Sequence, residues 1–118
     1  MALPPPDWQR LADMRAYCQR ALRHLTDRQR ADLDQDELFQ DALLRCLTVI
    51  GETAFKLSKE TQARFPLVPW LRIAAFRHVL VHDYGSVNLD RVWEISSTEL
   101  TKLDAHLGEI LREPPADI

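Results

Sequence analysis

Apolar residues recur along most of the chain at the three- and four-residue spacing of amphipathic α-helices. The first such stretch extends from about Asp7, a candidate N-cap, to Leu25. A polar connector, in which a helical turn is possible, follows over residues 26–34. No segment alternates apolar and polar residues with a period of two, as a half-buried strand would. The pattern therefore predicts helices and no sheet.

The second predicted helix is the most apolar and begins at a clear capping signal. Asp34 and Glu37 have the spacing of a capping box, and Leu33 and Leu38 are placed for a hydrophobic staple around it. The helix is predicted to extend to about Leu57. Its apolar positions are so frequent that two faces must be covered, either by this chain or by a partner.

One glycine and one glutamate stand out inside this helix. Gly51 costs about 1 kcal/mol relative to alanine in a helix interior, so we expect it to allow the close approach of another backbone. Glu52 follows it as the polar residue in an otherwise apolar run, "TVIGETAF".

Three further helices complete the pattern. A short one is capped by Ser58, and two longer ones begin near Pro69 and at Asn88. The first of these longer helices is predicted to end near His82, before Gly85. We expect the terminal "REPPADI" to be frayed.

These elements predict an all-α fold, in which residues 1–118 form a single domain. Four long helices and one short helix with brief connections favour an antiparallel helical bundle.

Composition excludes some classes of function and leaves others open. The chain has 118 residues, a formal charge of −3 and two cysteines, and its pI is about 5.8. There is no global basic field, so nucleic-acid binding would require a local patch or cleft. The cysteines lie among apolar neighbours and are predicted to be reduced core residues. No apolar run reaches the ~20 residues of a membrane span, and the N-terminus does not resemble a signal peptide. We therefore expect a cytoplasmic protein without membrane contact.

The stretch "RHVLVHDYG" concentrates chemically active side chains. It contains Arg77, His78, His82, Asp83 and Tyr84 at the end of an apolar helical pattern. His78 and His82 are one helical turn apart, whereas Arg77 and His82 differ in direction by about 140°. The groups are therefore unrelated, or the helix breaks after His82, or two copies of the chain assemble the site across a symmetric interface.

The residue types of this stretch allow three interpretations. Cations are common in the last turn of a helix because they interact favourably with the helix dipole. His78, His82 and Asp83 could instead bind a metal ion, although no other His or Cys completes such a site. In the third interpretation, a histidine transfers protons and an arginine stabilises a phosphate. RNA supplies its own nucleophile, the 2′-hydroxyl, so that chemistry needs no metal.

The segment "RHVLVHDY" resembles the R-x4-H-x-Y motif of HepT-like toxins in the HEPN superfamily of helical ribonucleases. "DALLRCLTVIGETAFKLS" is similar to the central helix of that family with its Ile-Gly-Glu, and "FPLVPWLRIAAF" to the Pro-Trp segment that leads into the motif. "VNLDRVWEI" resembles the final helix. The resemblance extends over roughly residues 8–111.

The resemblance implies a homodimer in which two Arg–His motifs face one another in a cleft. It implies Arg77 and His82 as the catalytic pair, with His78 as an auxiliary acid, base or phosphate contact. Glu52 and Asp83 would have supporting roles, although a simple salt bridge and a solvated side chain are equally open for them. The implied activity is metal-independent cleavage of RNA, without cofactor and not of DNA, that leaves a 2′,3′-cyclic phosphate.

The resemblance also implies a partner. In such toxin–antitoxin systems a minimal nucleotidyltransferase antitoxin is understood to transfer AMP from ATP to the motif tyrosine, here Tyr84. A tyrosine that only packs on the helix end is the alternative. A non-enzymatic helical subunit that binds and regulates a nucleotidyltransferase is the rival function, and the acidic net charge mildly favours it.

Overall fold

Residues 2–79 and 87–117 are described by the computed structural model, and helices account for most of them. In chain order the α-helices are α1 (Pro5–Leu25), α2 (Arg30–Gln35), α3 (Glu37–Lys56), α4 (Lys59–Arg64), α5 (Trp70–Ala74), α6 (Phe76–Val79), α7 (Leu89–Glu94) and α8 (Leu100–Ile110). A π-helical turn, Ile95–Glu99, joins α7 to α8. The predicted all-α fold is confirmed.

The long helices form a bundle in which α1 packs against both α3 and α8, and α3 packs against α5 and α6. Contacts at the helix ends give the directions. Asp7, near the start of α1, contacts Ser58, just beyond the end of α3. Trp8 donates its indole N–H to the Glu113 carbonyl, beyond the end of α8, at 2.8 Å. Because the start of α1 meets the ends of both neighbours, α1 runs antiparallel to α3 and to α8.

The core lies between these helices and takes side chains from each long segment. Its fully buried members include Leu11, Met14, Cys18, Leu43, Leu47, Ile50, Ile95, Leu100 and Leu107. Both cysteines are free and buried, and burial raises the pKa of each thiol. The predicted core role of the cysteines is therefore confirmed.

The prediction for the start of α3 was wrong, although the helix itself was predicted. Asp34 lies in α2, which occupies the supposed connector, and is paired there with Arg30. Asp36 is the N-cap of α3, and its side chain accepts a hydrogen bond from the Phe39 amide at 3.1 Å. Leu38 is 82% exposed, so it forms no staple. The caps predicted at Ser58 and Asn88 are confirmed.

Both chain termini depart from the prediction. Helix α1 begins at Pro5 rather than near Asp7, since Pro4 and Pro5 suit the non-hydrogen-bonded start of a helix. The tail is not frayed: the Ala116 amide donates to the Leu3 carbonyl at 2.8 Å, and Leu3 is buried. The tail and the proline-rich lead-in therefore hold each other in place.

The predicted helix over residues 69–82 is interrupted at Ala75, which separates α5 from α6. There the His78 amide donates to the Ala75 carbonyl at 2.9 Å, a three-residue turn tighter than α-helix. Trp70, Ile73 and Phe76 on this α5–α6 segment are buried and fasten it to the core. Gly85 and the predicted helix end near His82 lie outside the described residues.

Gly51 provides the close approach that its position in the sequence predicted. A Cβ atom at this glycine would lie 3.2 Å from both the Arg77 amide nitrogen and the Ile73 carbonyl oxygen. Such separations are shorter than ordinary van der Waals contact, so any larger residue would push the α5–α6 segment away from α3.

We predict that Gly51→Ala and Gly108→Ala have opposite effects on stability. Both substitutions improve helix propensity by up to about 1 kcal/mol. At Gly108 the new methyl group would meet only the flexible Arg15 guanidinium, 3.0 Å away, whereas at Gly51 it would meet backbone. Urea unfolding should show Gly108→Ala at or above wild-type stability and Gly51→Ala below it. Equal gains for the two variants would contradict the close approach.

A second prediction concerns Asp7, whose buried carboxylate accepts hydrogen bonds from the hydroxyls of Ser58 and Thr61. Burial alone would raise its pKa, but these bonds outweigh burial and hold the pKa below its ordinary 3.8. Stabilisation by the ionised group is therefore present above about pH 4 and is lost as pH falls through the folded-state pKa. Asp7→Asn should lower the free energy of unfolding at pH 7 by about 1–3 kcal/mol.

The difference between wild type and Asp7→Asn should shrink below about pH 4, as measured by urea unfolding at a series of pH values. Asp13→Asn, on the exposed surface of the same helix, is the control and should change stability by less than about 0.5 kcal/mol. A penalty for Asp7→Asn of the same size at pH 3 and pH 7 would show that the charge is not what stabilises this junction.

Candidate active site

Arg77 projects from a short but firmly held piece of backbone. It follows Phe76, which is 1% exposed, and lies in α6 at the point where Gly51 of α3 comes closest. Trp70, at the start of the same α5–α6 segment, donates its indole N–H to the Phe65 carbonyl at 3.0 Å, which fixes that end of the segment. The position of the arginine is therefore determined by core packing on one side and by α3 on the other.

The guanidinium group of Arg77 stacks on an aromatic ring. Its central carbon lies 3.8 Å from the centroid of the Phe55 ring, a cation–π contact. The Nε atom is buried and has no hydrogen-bond partner within residues 2–79 and 87–117. No carboxylate of the described chain forms an ion pair with Arg77. Its positive charge is thus held in place without being neutralised by these neighbours.

The remaining predicted site residues fall into two groups. His78 is exposed beside Arg77, and Glu52 is exposed on α3. Glu52 has no ion pair with Arg77 within the described part of the chain, so its supporting role stays a prediction. His82, Asp83 and Tyr84 lie outside the described residues, and their roles also stay predictions.

A separate groove of about 380 Å³ lies between α5 and the π-helical turn with α8, and Arg77 does not line it. Its charged wall includes Arg72, Glu99 and Lys102. Arg72 is paired with Glu99 at 2.7 Å, so the charge of this arginine, five residues before Arg77, is compensated. This groove and Arg77 therefore occur at different places in the described chain.

Two further properties bear on the type of site. Among the described residues no cluster of three or more His, Cys, Asp or Glu side chains could hold a metal ion. The metal interpretation of His78, His82 and Asp83 includes residues outside that part and is untested. In the part of the chain that the structure describes, no helix is both long and apolar enough to span a membrane.

The all-α bundle of the described residues is consistent with the HEPN class of helical ribonucleases that the motif resembles. Sequence comparison agrees: the model of the family described as "Ribonuclease HepT-like" matches residues 7–110. The chain belongs to this HepT-like ribonuclease family, which confirms the resemblance inferred from the motif and places the protein among endoribonucleases.

Individual relatives carry compatible names. "Putative RNase TTE0752" of Caldanaerobacter subterraneus subsp. tengcongensis is 35% identical over 82 residues, which cover 70% of this chain and 73% of that protein. "Putative RNase MJ0125" of Methanocaldococcus jannaschii is 30% identical over 87 residues, which cover 70% of this chain and 75% of that protein. "Probable ribonuclease HepT" of Thermococcus cleftensis is 28% identical over 68 residues, 58% and 62% of the two chains. No solved structure shows a significant match to this chain.

The contact between Arg77 and Phe55 was not predicted from the sequence. The sequence pattern shows Phe55 only as one of the frequent apolar residues of the second predicted helix, α3. A signal was nevertheless present, because Phe55 is one helical turn beyond Gly51, the glycine that predicted a close approach of another backbone.

Proposed function

We propose that this chain is the toxin of a prokaryotic toxin–antitoxin system and that it cleaves RNA without a metal ion. The observation that carries the proposal is the state of Arg77: anchored by packing, stacked on Phe55, and without a carboxylate partner in the described chain. An arginine in that state can pair with a phosphate group, because its charge-assisted hydrogen bonds are not already made to a protein carboxylate.

The reaction follows from the residue types. The 2′-hydroxyl of RNA attacks the adjacent phosphorus, so an O2′–P bond forms and the P–O5′ bond breaks. His82 would accept the 2′-hydroxyl proton or donate a proton to the departing 5′-oxygen, with His78 as the auxiliary group. Arg77 would stabilise the negative charge that develops on the phosphate oxygens. The products are a 2′,3′-cyclic phosphate and a 5′-hydroxyl, and DNA is not a substrate because it lacks the 2′-hydroxyl.

We further propose that the active form is a homodimer. Two apolar side chains of α3 are exposed: Leu38 at its start is 82% exposed, and Phe55 near its end is 59% exposed. A second copy that packed against α3 would remove this apolar surface from water. If one straight helix carried both groups, Arg77 and His82 would differ in direction by about 140°, which favours a site to which each copy contributes one of the two groups.

The regulatory part of the proposal concerns Tyr84. A partner nucleotidyltransferase would transfer AMP from ATP to its hydroxyl and release pyrophosphate. The new phosphodiester would bring a negative charge to within two residues of His82, and the adenosine would add bulk. Both effects oppose the binding of an RNA phosphate. Tyr84 would thus be the control point.

We predict that Arg77→Ala and His82→Ala each lower RNA cleavage by at least about 100-fold in the presence of EDTA, with the helical circular dichroism unchanged. Matched controls are Arg72→Ala, whose guanidinium is paired with Glu99, and His24→Ala, an exposed histidine of α1. These should stay within about threefold of wild type if only the motif carries the chemistry. Undiminished cleavage by both motif variants would refute the mechanism.

Mixing the two inactive variants tests the shared site. If each site takes Arg77 from one copy and His82 from the other, a mixed dimer contains one intact site. Free exchange makes about half of the dimers mixed, so activity should recover to about a quarter of wild type. No recovery, with exchange shown by native mass spectrometry, would place both groups of each site on one chain.

The role of metal is tested separately. Cleavage by the wild-type protein that needs added divalent metal would favour the metal interpretation of His78, His82 and Asp83.

A separate prediction addresses Tyr84. Incubation with ATP and the partner nucleotidyltransferase should add one or more AMP units, detected by intact-mass spectrometry, and RNA cleavage should fall in proportion. The chain has two tyrosines, so Tyr17→Phe is the matched control and should still be modified, whereas Tyr84→Phe should resist modification and stay toxic. Inhibition by the partner without any gain in mass would instead indicate regulation by binding.

A further inference from the structure

The contact between Arg77 and Phe55 is the shortest of four arginine–aromatic contacts in the described chain. The guanidinium carbon lies 3.8 Å from the ring centroid, against 4.6, 5.2 and 5.4 Å in the other three pairs. Arg28, in the 4.6 Å pair, is also bound to Asp36 at 3.1 Å. Arg77 has no such carboxylate partner among the described residues, so the ring is the principal contact of its charged group.

A stacked ring orients a guanidinium group differently from a carboxylate. The five N–H donors of arginine lie in the plane of the group and point outward from its edge. A carboxylate binds that edge and occupies two of the donors, whereas a ring covers one face and leaves the edge available. Stacking therefore restricts the orientation of Arg77 while most of its donors remain available for a phosphate.

The unpaired Nε atom supports this interpretation. A buried N–H donor without an acceptor is unfavourable, and the Nε of Arg77 has none among the described residues. The Nε–H group therefore donates no hydrogen bond to these residues that could hold the side chain in place. Packing of the guanidinium face on the Phe55 ring is the contact that can hold the Arg77 side chain in place.

The backbone brings the two side chains together. Gly51 lies one helical turn before Phe55 on α3, and a Cβ atom at Gly51 would be 3.2 Å from the Arg77 amide nitrogen. Residues four apart lie on the same face of a helix. The turn from Gly51 to Phe55 therefore receives the backbone of Arg77 at one end and its guanidinium at the other.

We propose that Phe55 is a positioning residue for Arg77: its ring fixes the plane of the guanidinium so that the edge is presented to the phosphate that is cleaved. This inference rests on the proposed ribonuclease function. It assigns a specific role to an aromatic side chain that is 59% exposed.

The test compares Phe55→Leu with Phe55→Tyr in RNA cleavage with EDTA present. Leucine keeps an apolar side chain but removes the π face, and kcat should fall about 3- to 30-fold, the range expected from loss of a cation–π contact, with little change in KM. Tyrosine keeps the ring and should restore kcat to within about threefold of wild type. Leu67→Ala, a change at a side chain that is 82% exposed, is the matched control and should leave both constants unaltered.

A spectroscopic readout tests the contact independently of activity. In a 1H–15N spectrum of the arginine side chains, the Nε–H signal of Arg77, assigned by its loss in Arg77→Ala, should be displaced by the ring current of Phe55. The displacement should vanish in Phe55→Leu and persist in Phe55→Tyr. A signal that is the same in wild type and Phe55→Leu would overturn the proposal, because the stack would then be absent in solution.

Two kinetic outcomes also overturn it. Wild-type kcat in Phe55→Leu, together with an inactive Arg77→Ala, would reject the role of Phe55 and leave the proposed ribonuclease function intact. A rise in KM alone, which disappears with an abasic nucleotide beside the cleaved phosphate, would show that the ring stacks on a nucleobase instead. Wild-type activity of Arg77→Ala would refute the proposed ribonuclease function itself. Failure of that function is therefore distinguishable from failure of the role assigned to Phe55.

Discussion

The structure around the candidate site depends on one steric constraint, the absence of a side chain at Gly51. Only a glycine lets the backbone of Ile73 and Arg77 come to within 3.2 Å of the position where a Cβ atom would be. That distance sets how closely the α5–α6 segment lies on α3, and it brings the Arg77 side chain to the Phe55 ring. A core mutation elsewhere would change stability, whereas a change here would also move the arginine.

The two arginines of the α5–α6 segment illustrate how the same side chain serves two purposes. Arg72 is paired at 2.7 Å with Glu99, the last residue of the π-helical turn, so its charge contributes to holding helices together. Arg77 rests on an aromatic ring, and no carboxylate of the described chain neutralises it. In a protein of net charge −3, attraction of a polyanion has to come from such locally uncompensated charges rather than from the overall field.

Polar contacts also define the end of the bundle at which α1 and α4 meet. Asp7 was predicted to cap α1, but its carboxylate instead bonds to Ser58 and Thr61 across 51 and 54 residues of sequence. It therefore joins the start of the first helix to the start of α4. Because Ser58 directly follows the end of α3, this contact also sets where α3 stops relative to α1, and so supports the helix that carries Gly51 and Phe55.

The sequence by itself determined the helical fold class, the family, the caps at Ser58 and Asn88, and the close approach at Gly51. The fold class, the caps and the close approach follow from local chemistry: side-chain periodicity, the side-chain oxygens of cap residues, and the absence of a Cβ atom. The family follows from the resemblance of the motif and its flanking segments. The motif also predicted Arg77, His82 and Tyr84 as site residues. Arg77 lies in the described part of the chain, whereas His82 and Tyr84 lie outside it, and the roles of all three stay predictions.

Tertiary structure decided what periodicity cannot express. It made Asp36 rather than Asp34 the cap of α3, because α2 takes up the connector, and it left Leu38 exposed. It also placed Phe55 under the Arg77 guanidinium. The physical reason is that an amphipathic pattern states which side chains avoid water, whereas contacts between residues far apart in sequence depend on how the helices are arranged around one core.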